Sequence, residues 1–177
     1  MAPTAKEPNF PRFRRLLSGK PHQRTADIQI FIQTLGEGLP AETTYATLLG
    51  VKERDPIELV RMVREGLSFK VVKRFQRNMD LSLTDVAELI QVPARTLTRR
   101  QEEGRLGPDE SDRLLRASRL FAKAIELFEG DVEGARAWLS TSQPSFGGAK
   151  PLDLATTEVG TREVESLIGR LEHGIPS

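Results

Sequence analysis

The stretch from Ser82 to Gly104 leaves this chain little conformational choice. Ser82-Leu83-Thr84-Asp85 has the form of a capping box, so a helix starts at Ser82. Val86, Ala87 and Ile90 share the inner face of that helix. Ala87 is small, which lets a second helix cross it at a steep angle. Gln91-Val92 makes the turn, and Val92 plugs the corner. Pro93 opens the second helix, where its missing N–H costs nothing. Leu97, five residues after Val92, anchors that helix, and Gly104 ends it. The spacing predicts two short helices joined at a sharp angle. Glycine often fills the first turn position, but here it is Gln91, which must take a left-handed conformation or shift the turn.

The rest of the chain also reads as helix. Its apolar period is 3.6 rather than 2, and no segment reads as a strand. Ile28, Phe31, Ile32 and Leu35 share one face, and Gly36 and Gly38 close that helix. Thr43 to Leu49 is a short apolar segment stopped by Gly50. Asp55-Pro56 opens a helix on which Ile57, Val60, Val63 and Leu67 recur at helical spacing. Between Ser68 and Asn78, Phe69, Val72 and Phe75 turn inward, while Lys70, Lys73, Arg74 and Arg77 turn out. Gly107-Pro108 starts a long helix to Glu129, with Asp109, Glu110 and Asp112 complementing its N-terminal dipole. Its buried stripe is Leu114, Ala117, Phe121, Ala124, Ile125 and Phe128.

The predicted fold is all-α. We divide it into a basic, mostly disordered arm over residues 1–25, a helical region over 26–107 containing the helix-turn-helix at 82–103, a connecting helix at 108–129 and a C-terminal domain at 130–177. The arm carries four prolines, which block long helices. It also carries Phe10, Phe13, Leu16 and Leu17, which share one face of a short amphipathic turn.

The net charge of +1 says little, but its distribution says more. Basic residues crowd the arm and the stretch from Lys70 to Arg105, which fits a protein that meets nucleic acid with one face. The spacing of Ala87, Ile90, Val92 and Leu97 resembles a DNA-binding helix-turn-helix of the Xre kind. On its second helix Arg95, Thr98 and Arg99 are expected nearest base edges, because arginine grips guanine bidentately and threonine meets a thymine methyl. Thr96, Arg100 and Lys73 are expected on phosphates, and free amides near Ser82 are candidates to hold another. A single such motif covers a half-site, so a homodimer on double-stranded operator DNA is expected, its contact drawn from the helices between Asp27 and Phe75.

After the long helix, Asp131 caps a helix through Leu139, with Trp138 and Leu139 in the core. Phe146-Gly147-Gly148 permits a sharp turn, and Pro151 restarts a short helix with Leu152 and Leu154. Thr157 or Thr161 caps the last helix, whose stripe is Val164, Leu167, Ile168 and Leu171. Gly174 fits a left-handed cap, with Ile175 as its apolar contact and Pro176 as the stop. Arg162, Glu165, Arg170, Glu172 and His173 decorate the polar side, where a solvated face alone would explain them.

The ordered features W-L-x(5)-F-G-G-x-x-P-L-D-L and E-V-E-x-L-I-G-R-L-E-H-G, from Trp138 to Gly174, resemble the toxin-binding domain of the Xre/MbcA/ParS-type antitoxins. The resemblance covers about residues 68 to 175. It implies a partner, a RES-domain toxin that consumes NAD, whose active-site cleft the C-terminal end occludes. It also implies contacts from the final helix and tip, at Arg162, Glu165, Arg170, His173 and Gly174. The alternative is a stand-alone helix-turn-helix regulator whose C-terminal module dimerises or senses a ligand.

An enzyme is the third class. With two histidines, no cysteine, no Ser-His-Asp pattern and no Gly-rich phosphate loop, no catalytic residue, metal site or cofactor is expected. No run approaches the ~18 apolar residues of a membrane span, and no signal-peptide pattern opens the chain. A cytoplasmic location is the expectation.

Overall fold

The computed structural model describes residues 25–52 and 54–174. The arm, apart from Thr25, and the Ile175 and Pro176 tip therefore lie outside the described residues.

Among the described residues the fold is helical, with one isolated antiparallel bridge between Ser68 and Arg105. Helix α1, Ala26–Gly36, is capped by Thr25, whose hydroxyl accepts from the Ile28 amide. Helix α2, Ala41–Thr44, runs into a 3₁₀ turn, Tyr45–Leu49, that Gly50 ends in the left-handed region. Asp55 caps α3, Pro56–Glu65, and Pro56 occupies its first turn as predicted. Helix α4, Lys70–Met79, buries Val72 and Phe75 completely and leaves Lys70, Lys73, Arg74 and Arg77 exposed.

Helix α3 forms as its spacing implies, but Ile57 and Val60 of its stripe do not meet the core. Its inward residue is Leu59, while Ile57 is 77% exposed and Val60 47%. Val60 and Val63 line a groove beside the next long helix, and Ile57 faces solvent. Helical spacing identifies a stripe but not what lies opposite it.

Helix α7, Pro108–Leu127, organises everything else. It rises about 30 Å at 1.5 Å per residue. Leu114, Ala117, Leu120, Phe121, Ala124 and Ile125 are all buried. Phe121 meets Phe75 of α4 edge-on, with ring centres 5.4 Å apart. Helix α7 packs on α3 and on α5, Leu83–Leu89, the first of the paired helices ahead of α6, Ala94–Glu103. It also packs on α8, Val132–Leu139, and α10, Glu158–Glu172. Phe128, just beyond α7, lies against Trp138 of α8 at 6.4 Å between ring centres. Trp138 is 2% exposed, as expected of a core anchor.

A 3₁₀ turn at Pro144–Phe146 and helix α9, Pro151–Leu154, link α8 to α10. Thr157, not Thr161, caps α10: its hydroxyl accepts from the Gly160 amide at 3.0 Å. Gly160 is required by a close approach, since a Cβ there would lie 1.9 Å from the Leu154 carbonyl oxygen. Thr161 is buried, and its hydroxyl donates to the Thr157 and Ala155 carbonyls. One cluster of buried apolar residues runs from Ile28 to Ile168, so both halves of the chain share a core.

Candidate nucleic-acid interface and partner surface

The helix-turn-helix follows from its local chemistry. Ser82 Oγ accepts from the Asp85 amide at 3.0 Å, and Asp85 accepts from the Ser82 amide at 2.7 Å, which completes the capping box. Gln91 takes the left-handed conformation, with φ of +53°. Its side chain donates to the Glu88 carbonyl at 2.7 Å, holding a strained residue in place. Arg113 of α7 donates to the Ile90 and Gln91 carbonyls at 3.2 Å, so the turn is also held from behind. Val92 is 6% exposed and Leu97 fully buried, so the plug and the anchor both seat. Gly104 ends α6 in the left-handed region.

The recognition face of α6 divides into two. Arg95 is exposed and makes no ion pair among the described residues. Arg99 is 60% exposed and reaches Glu103 only at 3.5 Å, an arrangement easily released. Thr98 is exposed, and its hydroxyl donates to the Ala94 carbonyl. Thr96 and Arg100 are half-buried. Arg100 turns back toward the body, with Nε 2.9 Å from Glu110 of α7 and Nη1 2.8 Å from Glu103. Hydrogen bonds to Glu103 and then Glu110 hold its guanidinium pKa above the ordinary arginine value.

Lys73 is exposed on α4, its ammonium 5.8 Å from the centre of the Phe69 ring. At Ser82 the capping box already uses one free amide and places the Asp85 carboxylate beside the helix start. That carboxylate opposes a phosphate there.

The C-terminal surface is fastened more tightly. Glu165 accepts from Arg119 of α7 at 2.8 Å, and its side chain is 16% exposed. Glu158 takes Arg116 of α7 at 3.1 Å and Arg162 of its own helix at 2.9 Å. The Arg162 hydrogen bond, outweighing burial, holds the Glu158 carboxyl below the usual carboxylate range. Arg170 donates to Ser166. His173 and Gly174 are exposed, and Gly174 has φ of +65°, the left-handed cap expected of it.

Among the described residues no cluster of His, Cys, Asp and Glu has the arrangement of a metal site. No helix there is long and apolar enough to cross a membrane.

Residues 58–119 match the antitoxin Xre-like helix-turn-helix domain, and residues 123–174 match the antitoxin Xre/MbcA/ParS C-terminal toxin-binding domain. An antitoxin Xre of Yersinia enterocolitica is 37% identical over 118 residues, which cover 66% of this chain and 80% of that protein. The chain belongs to the Xre antitoxin family. Another antitoxin Xre, of Photorhabdus laumondii, is 32% identical over 117 residues, covering 66% of this chain and 79% of its own. A third, of Pseudomonas putida, is 38% identical over 93 residues, covering 52% and 58%. The boundary between the two family regions falls within α7, the helix that both halves share.

Sequence reasoning missed the fasteners Arg113, Arg116 and Arg119. They are spaced three apart along α7. Apart from Asp112, four residues before Arg116, their partners lie 22 to 46 residues away in sequence.

Proposed function

We propose that this chain neutralises a RES-domain, NAD-consuming toxin by occluding its active-site cleft, and that as a homodimer it binds operator DNA to repress its own operon. The observation that carries the reading is α7, one helix shared by the helix-turn-helix and by the part that matches the toxin-binding domain. The proposed DNA surface is Arg95, Thr98 and Arg99 at base edges, with Thr96 and Lys73 at phosphates. Arg100 can reach a phosphate only by loosening its pairs, and Ser82 offers a weak anion position. The proposed toxin surface is the end of α10, with His173 and Gly174 foremost and Arg170 beside them. Arg162 and Glu165 contribute from a position already tied to neighbours. A helix fixed by packing through Val164, Leu167 and Ile168 loses little entropy on insertion, which favours tight inhibition.

The dimer contact is proposed along α3, where Ile57 and Val60 are exposed. Apolar surface left in water on one face favours a partner there.

The test is co-expression with the product of the adjacent reading frame, followed by co-purification and an NAD-consumption assay. A variant ending at Leu171 is expected to inhibit the toxin at least about tenfold less well and to shift operator DNA normally. Undiminished inhibition by that variant sinks the plug.

A further inference from the structure

A groove of about 1090 Å³ runs beneath the last turn of α10, between α7 and the loop before α2. Its floor is apolar, formed by Leu127, Ile168 and Leu171. Its rim is acidic, with Glu42, Glu126, Glu129, Glu165 and Glu172 set against Lys123 and His173. Lys123 is committed to Glu42 at 2.5 Å, and Glu165 to Arg119. Glu126 accepts from the Ala41 amide. Glu129 and Glu172 have no ion-pair partner among the described residues. Burial, then the neighbouring charge of Glu126, raises the Glu172 carboxyl above its ordinary value. A cation entering this groove would relieve that repulsion.

We propose that the N-terminal segment, residues 1–24, docks in this groove of its own chain. The segment is the groove's chemical complement. Phe10, Phe13, Leu16 and Leu17 stand among Arg12, Arg14 and Arg15, with Lys20 and Arg24 following. Its six arginines and lysines face a single acid, Glu7.

Reach is sufficient. Thr25 sits at the start of α1, hydrogen-bonded to Asn78. Helix α1 is about 16 Å long at 1.5 Å per residue, and Pro40, four residues past its end, lines the groove. The eight residues from Leu17 to Thr25 span up to about 26 Å when extended. Tethering supplies a local concentration of order millimolar, which an untethered basic segment must match. The groove beside α3 does not compete for the segment, because Arg64, Arg116 and Arg119 outnumber Asp112 and Glu158 there.

Docked, the segment covers Glu165 and His173 and so masks the surface proposed for the toxin. That consequence rests on the proposed toxin contact; the docking does not.

The chain contains no cysteine, which makes disulfide trapping clean. Full-length Ser18→Cys, His173→Cys is compared with full-length Ser18→Cys, Thr84→Cys under oxidised glutathione at low micromolar protein. Thr84 is exposed and follows Asn78, where Thr25 is held, by six residues, so chain statistics alone favour the Thr84 pair. The expected result is intrachain closure at least about tenfold faster for the His173 pair, with the advantage lost when Arg12, Arg14 and Arg15 are all changed to Glu. Equal rates, a faster Thr84 pair, links only between chains, or an advantage that survives charge reversal each overturn the proposal. No toxin is needed for this measurement, so it stands apart from the toxin assay. If docking is found and the toxin reading also holds, the charge-reversed chain inhibits the toxin more tightly.

Discussion

Helix α6 is tied to α7 through Arg100 and Glu110, and α10 packs along α7, yet the two use their charges in opposite ways. On α6 the cations that face away from the body, Arg95 and Arg99, have little or nothing to hold them, and only Arg100 is committed to Glu110. On α10 the polar side is committed first to the scaffold: Glu158 and Glu165 take Arg116 and Arg119 of α7. A surface left uncommitted suits a polyanion, since each freed cation can release counterions from a phosphate backbone. A surface already paired suits rigid presentation of a tip. The same composition, a helix dotted with arginine and glutamate, is thus left open on α6 and tied down as a clamp on α10.

The widest test of this contrast asks whether the halves are one cooperative unit. Trp138→Ala removes a buried aromatic from the α8 side and is expected to cost about 3–5 kcal/mol of stability. Because the core is continuous from Ile28 to Ile168, operator binding should be lost on the same thermal transition. Two separate transitions in calorimetry, with DNA binding surviving the first, would show that α7 joins two independent domains.

Next in size is the recognition face. Arg99→Ala is expected to weaken operator affinity by about 1–3 kcal/mol and to relax sequence preference at one position. Arg95→Ala should behave alike, and both should leave toxin inhibition unchanged. Fluorescence anisotropy at fixed salt decides it: unchanged affinity in both variants places the reading surface elsewhere.

These outcomes bear on what the sequence disclosed. Everything governed by near neighbours was legible: the caps at Asp55, Ser82 and Asp131, the Val92 plug, the Leu97 anchor and the left-handed option for Gln91. Each depends on groups within about five residues. The alternatives left at Gln91 and at Thr157 or Thr161 were decided by single hydrogen bonds, from Gln91 to Glu88 and from Gly160 to Thr157. What spans the chain was not legible. Nothing near Arg100 announces Glu110, and nothing near Glu165 announces Arg119. The outward turn of Ile57 and Val60 was hidden for the same reason, because a stripe shows amphipathicity and not which partner it meets.

The clamp on α10 provides a smaller test. Arg119 and Glu165 are partly buried, between the fractional value of an exposed pair and the several kcal/mol of a buried one. Arg119→Met should therefore cost about 1–2 kcal/mol of stability. It should also weaken toxin inhibition, by letting α10 move, more than it weakens operator binding. Equal losses in the two assays would mean the pair supports the core generally rather than the tip.

The smallest expected effect lies at Glu158, the exposed end of the clamp. Its carboxyl is held below the usual range by the Arg162 hydrogen bond and, after the opposing cost of burial, by Arg116 and Arg162 charge. A carboxyl depressed in the folded state adds stability above its unfolded pKa, and that stability is lost as pH falls through the folded value. Glu158→Gln should therefore lower Tm at neutral pH by only about 1–2 °C, a few tenths of a kcal/mol. The gap should close as pH drops below the usual carboxylate range. Molar salt should narrow it at neutral pH, because the group is exposed and its pairs are screened. A gap that persists in acid would assign the effect to the lost cap-side contacts of α10 rather than to charge. The contrast between a free DNA face and a clamped partner face would then rest on Arg119 and Glu165 alone.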